Sequence, residues 1–477
     1  QGLLRVGGSV LAAVMIVSNS GCGPINQIRE MLPWSGSGQQ EEQGIGAGNG
    51  EAGYGQDGGA AEAGSSGSAV AGDNLDSPLS GGVEETVTLP ERYDYREHGR
   101  CPAVGSQGDL GTCWAFASMA ALQSALLPEE TWDFSEDHLS IHNSFGMDQN
   151  MGGDYTMAMA YFLAWQGPVT EAQDPYGDGV SPEGLTAVKH VQEIRIPAAK
   201  DYDAIKRAVY FHGGVQTSIY TDMTEENRLS DYYEKSGSSY YYPTETEPNH
   251  DVVIMGWDDS YPRERFVTDP GMDGAFLCMN SWGTGFGESG LFYVSYADPN
   301  IGVHNLVYTG VEEADNYDRI YQDDLCGWLG QLGYEDETAW FSAVYEAGGE
   351  EQVAAVGFYA TGPDTEYEIY QTEITEDGPV TGARLAQGSI LQAGFYTVRL
   401  ENGQKLSAGE RFSVAVKIRT PEAKHPVAVE YGGGQTERTA VVDLSDGEGY
   451  ISADGRLWSR TEPQQSNVCL KIYTNRR

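Results

Sequence analysis

Gln107-Gly108-Asp109-Leu110-Gly111-Thr112-Cys113-Trp114-Ala115-Phe116 sets a tight, glycine-bearing turn against the head of an apolar run. Glycine in such a turn lets backbone approach a ligand closely. From Cys113 to Leu126 the residues are rich in helix formers, with Phe116, Met119, Ala120 and Leu126 near one face. The segment is therefore read as a helix that starts at Cys113. A thiol there meets free N–H groups and the positive end of the helix dipole, both of which favour the thiolate. A cysteine on an apolar helix face is ordinarily a packed core residue. The turn, the helix start and the aromatic Trp114 set Cys113 apart as a candidate nucleophile.

A thiolate needs a base. Asn249-His250-Asp251-Val252-Val253-Ile254-Met255-Gly256 puts His250 at the start of an apolar strand, where a ring can be held rigidly. Downstream, Cys278-Met279-Asn280-Ser281-Trp282-Gly283 offers an amide oxygen on Asn280 that can fix the imidazole tautomer. Trp282 is placed to cover that hydrogen bond and exclude water.

These blocks resemble the papain-like cysteine peptidases. The segment from Gln107 to Phe116 is similar to that family's active-site signature, Asn249-His250 and Asn280-Ser281-Trp282-Gly283 to its other two blocks, and Phe134–Leu139 and Gly152-Gly153 to further family segments. The resemblance covers roughly residues 89–297, with its blocks in the family's order. It implies a two-lobed α+β catalytic domain and a Cys113–His250 thiolate–imidazolium pair. It also implies Asn280 as orienter of the histidine, and an oxyanion site built from the Gln107 amide and the Cys113 N–H. No cofactor or metal is implied. Leu110 and Asn150 stand where the family usually has a disulfide, and both cysteines are absent together, so no orphan thiol is left near the site. Asp251 stands where a small residue often follows the histidine. Strand alternation is expected to turn it away from the ring. No inhibitory propeptide helix is read before Thr86.

Outward from this core, further helices are expected at 155–166 and 202–211, and strands at 215–220, 252–257, 275–279 and 290–296. Helices first and strands later suggest a two-lobed α+β unit. From about Tyr317 short β-prone runs alternate with Gly, Asp and Pro turns, as in an all-β sandwich. Several C-terminal blocks, among them Tyr317-Asp318-Arg319-Ile320-Tyr321 and Asn467-Val468-Cys469-Leu470-Lys471, resemble the lectin-like domain appended to some bacterial papain-like peptidases. That resemblance implies a surface glycan or cell-wall ligand. Trp340, Tyr345, Tyr359 and Trp458 are candidate contacts, with sandwich packing the stronger expectation for most.

At the other end, Arg5, the apolar run from Val10 to Val17 and the small residues before Cys22 read as a secretory signal. Ser20-Gly21-Cys22 is similar to the end of a lipobox, although Asn19 departs from that pattern. Membrane attachment is expected only through a lipid on Cys22. The Gly/Ser/Glu-rich stretch that follows cannot bury enough apolar surface to fold, and is read as a linker. The resulting division is a signal segment at 1–22, linker at 23–85, catalytic domain at 86–312 and lectin-like β-sandwich at 313–477. An extracellular or cell-surface protein follows.

With 28 basic against 71 acidic residues, the net charge of -43 disfavours nucleic acid and anionic lipid surfaces as partners. The partner expected instead is a peptide or protein substrate. Six dispersed cysteines without a CxxC pair support neither a disulfide scaffold nor a zinc ribbon. Whether Cys326 and Cys469 pair stays open. Asp258-Asp259 and Asp323-Asp324 are read as solvated turns or strand ends, and the tyrosines at 232–233 and 240–242 as a hairpin packed on its own domain. His138, His142, His190 and His212 lack ligand spacing. Two rival functions remain: a catalytically inactive surface-binding protein on the same fold, and a Cys–His acyl transferase. Retention of all four catalytic-type residues argues against the first, and the asparagine block against the second.

Overall fold

In the computed structural model, helix Cys113–Leu126 is buried along its whole length except at Ala120, Ala125 and Leu126. A helix apolar on all sides belongs inside a core, and helices pack around this one. Glu136–Ile141 and Tyr155–Leu163 lie against it, and the strands His250–Asp258 and Asn305–Glu313 back it. The structure describes residues 13–16, 87–224, 228–434 and 436–477. The signal segment, apart from a short strand Ala13–Ile16 paired on Gly330–Gly333, and the linker at 23–85 lie outside the described residues.

Local chemistry sets the helix ends. Ser135, Asp154 and Asp201 each accept a backbone N–H in the first turn of the helix that follows, satisfying donors that a helix start leaves open. The helix expected at 155–166 stops at Leu163, because Trp165 takes a left-handed φ of 60° and Pro168 cannot continue the ladder.

One sheet runs through both halves of the molecule. From the C-terminal side its order is Arg319–Tyr321, Leu470–Arg476, Glu351–Ala360, Ala393–Arg399, Lys189–Ile196, Asn305–Glu313, Val215–Ile219, His250–Asp258, Ala275–Met279 and Leu291–Ser295, ending in the tyrosine-rich hairpin of Tyr233–Glu234 and Ser239–Tyr240. The His250 strand is buried from end to end except at Asp258, which explains its unbroken run of apolar residues. The hairpin packs on its own domain as expected: Tyr240 is buried and donates to Tyr220 O at 3.0 Å, and Tyr233 stacks on Phe286.

The C-terminal part is a β-sandwich. Six strands in the order Gly378–Ile390, Thr365–Thr375, Arg411–Arg419, Thr338–Glu346, Gly449–Ser452, Ser459–Arg460 form one face. The opposite face is the end of the long sheet, and Phe341, Phe358, Phe412 and Ile472 fill the space between. Tyr359 is buried, Tyr345 donates to Leu470 O and Trp340 packs on Tyr370, so these rings are committed to packing.

Strand Lys189–Ile196 joins the halves, pairing with Asn305–Glu313 on one edge and Ala393–Arg399 on the other. One expectation needs correction at this boundary, and one open question is answered. Asp323-Asp324 is no solvated turn: Asp324 is fully buried against Lys471 Nζ at 2.9 Å, and burial pushes the Asp323 carboxyl up to about 8. The chain dives between the domains there, and Lys471 supplies the countercharge. Cys326 and Cys469 are both free thiols; Cys326 Sγ instead contacts Ser144 O across the boundary.

Candidate active site

Cys113 opens the central helix, and Thr112 precedes it as N-cap without making a side-chain cap hydrogen bond. The first turn therefore keeps N–H groups that its cap residue does not consume. Gly111 brings this turn against a second glycine loop: a Cβ at Gly111 would lie 3.0 Å from both Gln149 O and Gly152 N.

His250 begins the central strand, paired with Ile219. Its Nε2 lies 2.7 Å from Asn280 Oδ1. The same oxygen accepts the Ser281 backbone N–H at 2.8 Å, which fixes that atom as an acceptor. Nε2 therefore carries the proton, and Nδ1 is left as the basic nitrogen. The Trp282 ring, 5.0 Å from the imidazole between centroids, covers the pair. Burial pushes the imidazole down to about 4, against the Asn280 hydrogen bond, which pulls it up.

Gln107 is tied to the Asn280 turn by a backbone ladder. Gln107 N donates to Ser281 O at 2.9 Å, Ser106 bridges Trp282, and Gly283 N donates to Gly105 O at 2.9 Å. The Gln107 side chain is clamped at both ends: Oε1 accepts from Ser281 Oγ at 2.6 Å, and Nε2 donates to Leu110 O at 2.8 Å. Nε2 has a second hydrogen for a ligand.

Asp251 does not bind the ring. Its carboxylate accepts from Gln216 Nε2 at 2.9 Å and Ser218 Oγ at 2.7 Å. Gln216 in turn accepts from Ser118 Oγ, and Ser118 Oγ also donates to Trp114 O. Burial pushes Asp251 up to about 7, opposed by those hydrogen bonds.

Two bracing residues escaped the sequence reading. Tyr176 Oη donates to Gln107 O at 2.9 Å and pairs with Thr112 Oγ1 at 2.6 Å, while its ring meets Phe116 edge-on. It holds both ends of the Gln107–Thr112 turn from a loop with no motif. Ser281 lay inside a recognised block without a role assigned to it.

Fold and site together define a two-lobed α+β domain, with a cysteine at a helix head and a buried histidine–asparagine pair, carried beside a β-sandwich. Residues 89–311 match the papain family cysteine protease model and residues 320–474 the lectin-like domain model; the chain thus joins a papain-family domain to a lectin-like one. Cathepsin L of Sarcophaga peregrina is 30% identical over 218 residues, 43% of this chain and 58% of its own length. A cysteine protease of Blomia tropicalis is 25% identical over 233 residues, 46% of this chain and 65% of its own. The chain thus spans less than two thirds of either relative. Among solved structures, the cysteine protease and lectin-like domains of Cwp84, a surface layer associated protein of Clostridium difficile, superpose with a TM-score of 0.72 at 22% identity, covering 82% of this chain and 90% of that one. That likeness is one of fold.

Proposed function

We propose that the protein is an exported cysteine peptidase. The observation that carries this reading is the His250 Nε2 to Asn280 Oδ1 contact of 2.7 Å beneath Trp282, which leaves Nδ1 as base for the thiol at the head of the central helix. A Cys113 thiolate offsets the burial that disfavours the imidazolium. The sulfur attacks the peptide carbonyl, forming a C–S bond. The oxyanion is held by the Cys113 N–H and the second Gln107 Nε2 hydrogen. The C–N bond breaks as His250 gives its proton to the leaving amine. Water, deprotonated by His250, then releases the acyl group and restores the thiol pair.

The C-terminal domain positions the enzyme at a surface glycan or cell-wall ligand. A surface location is supported by the likeness to Cwp84, a surface layer associated protein. The segment 1–22 acts as the export signal, with Cys22 as lipid acceptor. The working boundaries are 86–312 for the catalytic domain and 313–477 for the sandwich.

Selective alkylation tests the site. Burial pushes Cys101 up to about 11 and raises Cys278, Cys326 and Cys469 strongly, so these thiols are slow at mildly acidic pH. Iodoacetamide at pH 6 with peptide mapping is expected to label Cys113 fast, and His250→Ala to abolish the fast phase. Absence of a fast phase in the wild type would sink the reading. Casein with a primary amine separates hydrolysis from acyl transfer: incorporation of the amine dominating over cleavage would count against a peptidase.

A further inference from the structure

Arg438 belongs to the short helix Glu437–Ala440 of the C-terminal domain, yet its side chain is only 4% exposed and ends in the catalytic domain. Its Nη1 donates to Asp154 Oδ2 at 2.6 Å, its guanidinium lies 6.0 Å from the Phe145 ring centroid, and its Nε has no hydrogen-bond partner. Asp154 divides its carboxylate between two tasks. Oδ1 caps helix Tyr155–Leu163 by accepting Thr156 N at 2.8 Å and Thr156 Oγ1 at 2.5 Å, while Oδ2 takes Arg438.

The setting is the flank of the candidate active site. Asp154 follows Gly153, where any Cβ would run into the Trp114 indole beside Cys113. Asp251 follows His250 and is close enough to Asp154 for the Asp154 charge to raise it. Tyr155, next to Asp154 in the chain, feels both carboxylates. A buried carboxylate without a countercharge is costly, and for Asp154 the countercharge comes from the other domain. Domain docking does not depend on it. Backbone pairing of Ala393–Tyr396 with Glu193–Ile196 holds the halves together, and Phe395 and Tyr431 join the apolar cluster of the catalytic domain.

We propose that Arg438 is a specificity-determining residue supplied by the lectin-like domain: it fills and neutralises an acidic pocket beside the Cys113–His250 pair, so that the chain turns away substrates offering Lys or Arg there and accepts uncharged side chains. This rests on the peptidase reading. Removal of Arg438 opens the pocket to a substrate cation, which Asp154 then pairs.

A peptide library randomised at each position tests this on the full chain. Arg438→Met keeps the apolar stem and removes the charge. It is expected to raise kcat/KM for peptides with Lys or Arg at one position by about tenfold or more. Adding Asp154→Asn, which preserves the helix cap, is expected to abolish that gain. Asp154→Asn alone leaves Arg438 without its counterion and is expected to favour Asp or Glu at the same position, an independent readout should Arg438→Met fail to fold by circular dichroism. An unchanged pattern in a folded Arg438→Met, or a gain that persists in the double variant, overturns the proposal while leaving the peptidase intact. A wild type that cleaves no peptide and takes no fast label at Cys113 overturns both.

Discussion

Ser281 Oγ donates to Gln107 Oε1 at 2.6 Å, and this contact decides which end of the Gln107 amide faces the nucleophile turn. With Oε1 held, Nε2 is directed to Leu110 O, and its second hydrogen is left for the proposed oxyanion. Ser281→Ala frees the amide to rotate. The expected result is a fall in kcat of about tenfold with KM little changed, against about 10²–10³-fold for Gln107→Ala. Steady-state kinetics on one peptide substrate checks both; equal losses in kcat and in substrate affinity would assign Ser281 a binding role instead.

Tyr176 braces the same turn from outside, bridging Gln107 O and Thr112 Oγ1. Tyr176→Phe removes both hydrogen bonds and keeps the ring against Phe116. A stability loss of about 1–2 kcal/mol is expected, with a several-fold drop in kcat that Tyr176→Ala deepens. Denaturant titration beside kinetics separates the two effects.

The legible parts of this molecule are those in which one short segment does the work. Cys113 at a helix head, His250 on an apolar strand and Asn280 beside Trp282 each announce themselves locally, and so does the change of texture near Tyr317. What escaped depends on distant partners. Strand Lys189–Ile196 reads as a polar stretch with few apolar residues; both of its edges are paired and its charges are matched, Lys189 with Glu130 and Glu313 from other segments and Arg195 with Glu193 in the same strand. Strand Asn305–Glu313 was missed likewise, and together the two fuse domains that the sequence reading separated cleanly. The burial of Asp324 was hidden because its counterion, Lys471, is far away in the chain. Tyr176 has no motif, and its role exists only once the loop folds back on the turn.

Gly153 lies against the Trp114 indole, next in the chain to Cys113. A Cβ there would lie 2.4 Å from Trp114 Cε2 and 2.5 Å from Nε1, too close for any rotamer adjustment of a buried ring. Gly153→Ala is expected to destabilise by about 1–3 kcal/mol through overpacking. It should also cost most of the activity, since Trp114 cannot move without moving Cys113. A melting curve and fast-thiol labelling on the same sample check this. Unchanged labelling beside a lowered Tm would uncouple the ring from the nucleophile.

Cutting the chain after residue 312 removes Ala393–Arg399 from the edge of Lys189–Ile196 and strips Tyr359, Phe395 and Tyr431 from a cluster continuous with the catalytic core. An unpaired strand edge beside exposed apolar surface promotes association. The isolated 87–312 fragment is therefore expected to aggregate or to melt well below the full chain, as read by light scattering and calorimetry. A monodisperse fragment with the full chain's Tm would show the shared sheet to be dispensable.

Asp251 gives the fold a pH dependence whose sign can be worked out. Burial raises its carboxyl from 3.8 to about 7, with hydrogen bonds from Ser218 and Gln216 opposing the rise. A folded-state pKa above the unfolded one means that the native state holds the proton more tightly. The stabilisation from this group is thus full below about pH 4 and is lost as pH climbs toward 7, on the order of 4 kcal/mol over the whole window. Asp251→Asn fits the same site, donating Nδ2 to Ser218 Oγ and accepting Gln216 Nε2 on its oxygen, and it has no proton to lose. The Tm of the variant relative to the wild type should therefore climb between pH 4.5 and 8, by roughly 5 °C or more. The difference of the two curves isolates this residue from Asp323 and Glu430, which burial also raises to about 8. Curves that run parallel across that range would mean that Asp251 is ionised in the folded protein at acidic pH, held by its hydrogen bonds against burial.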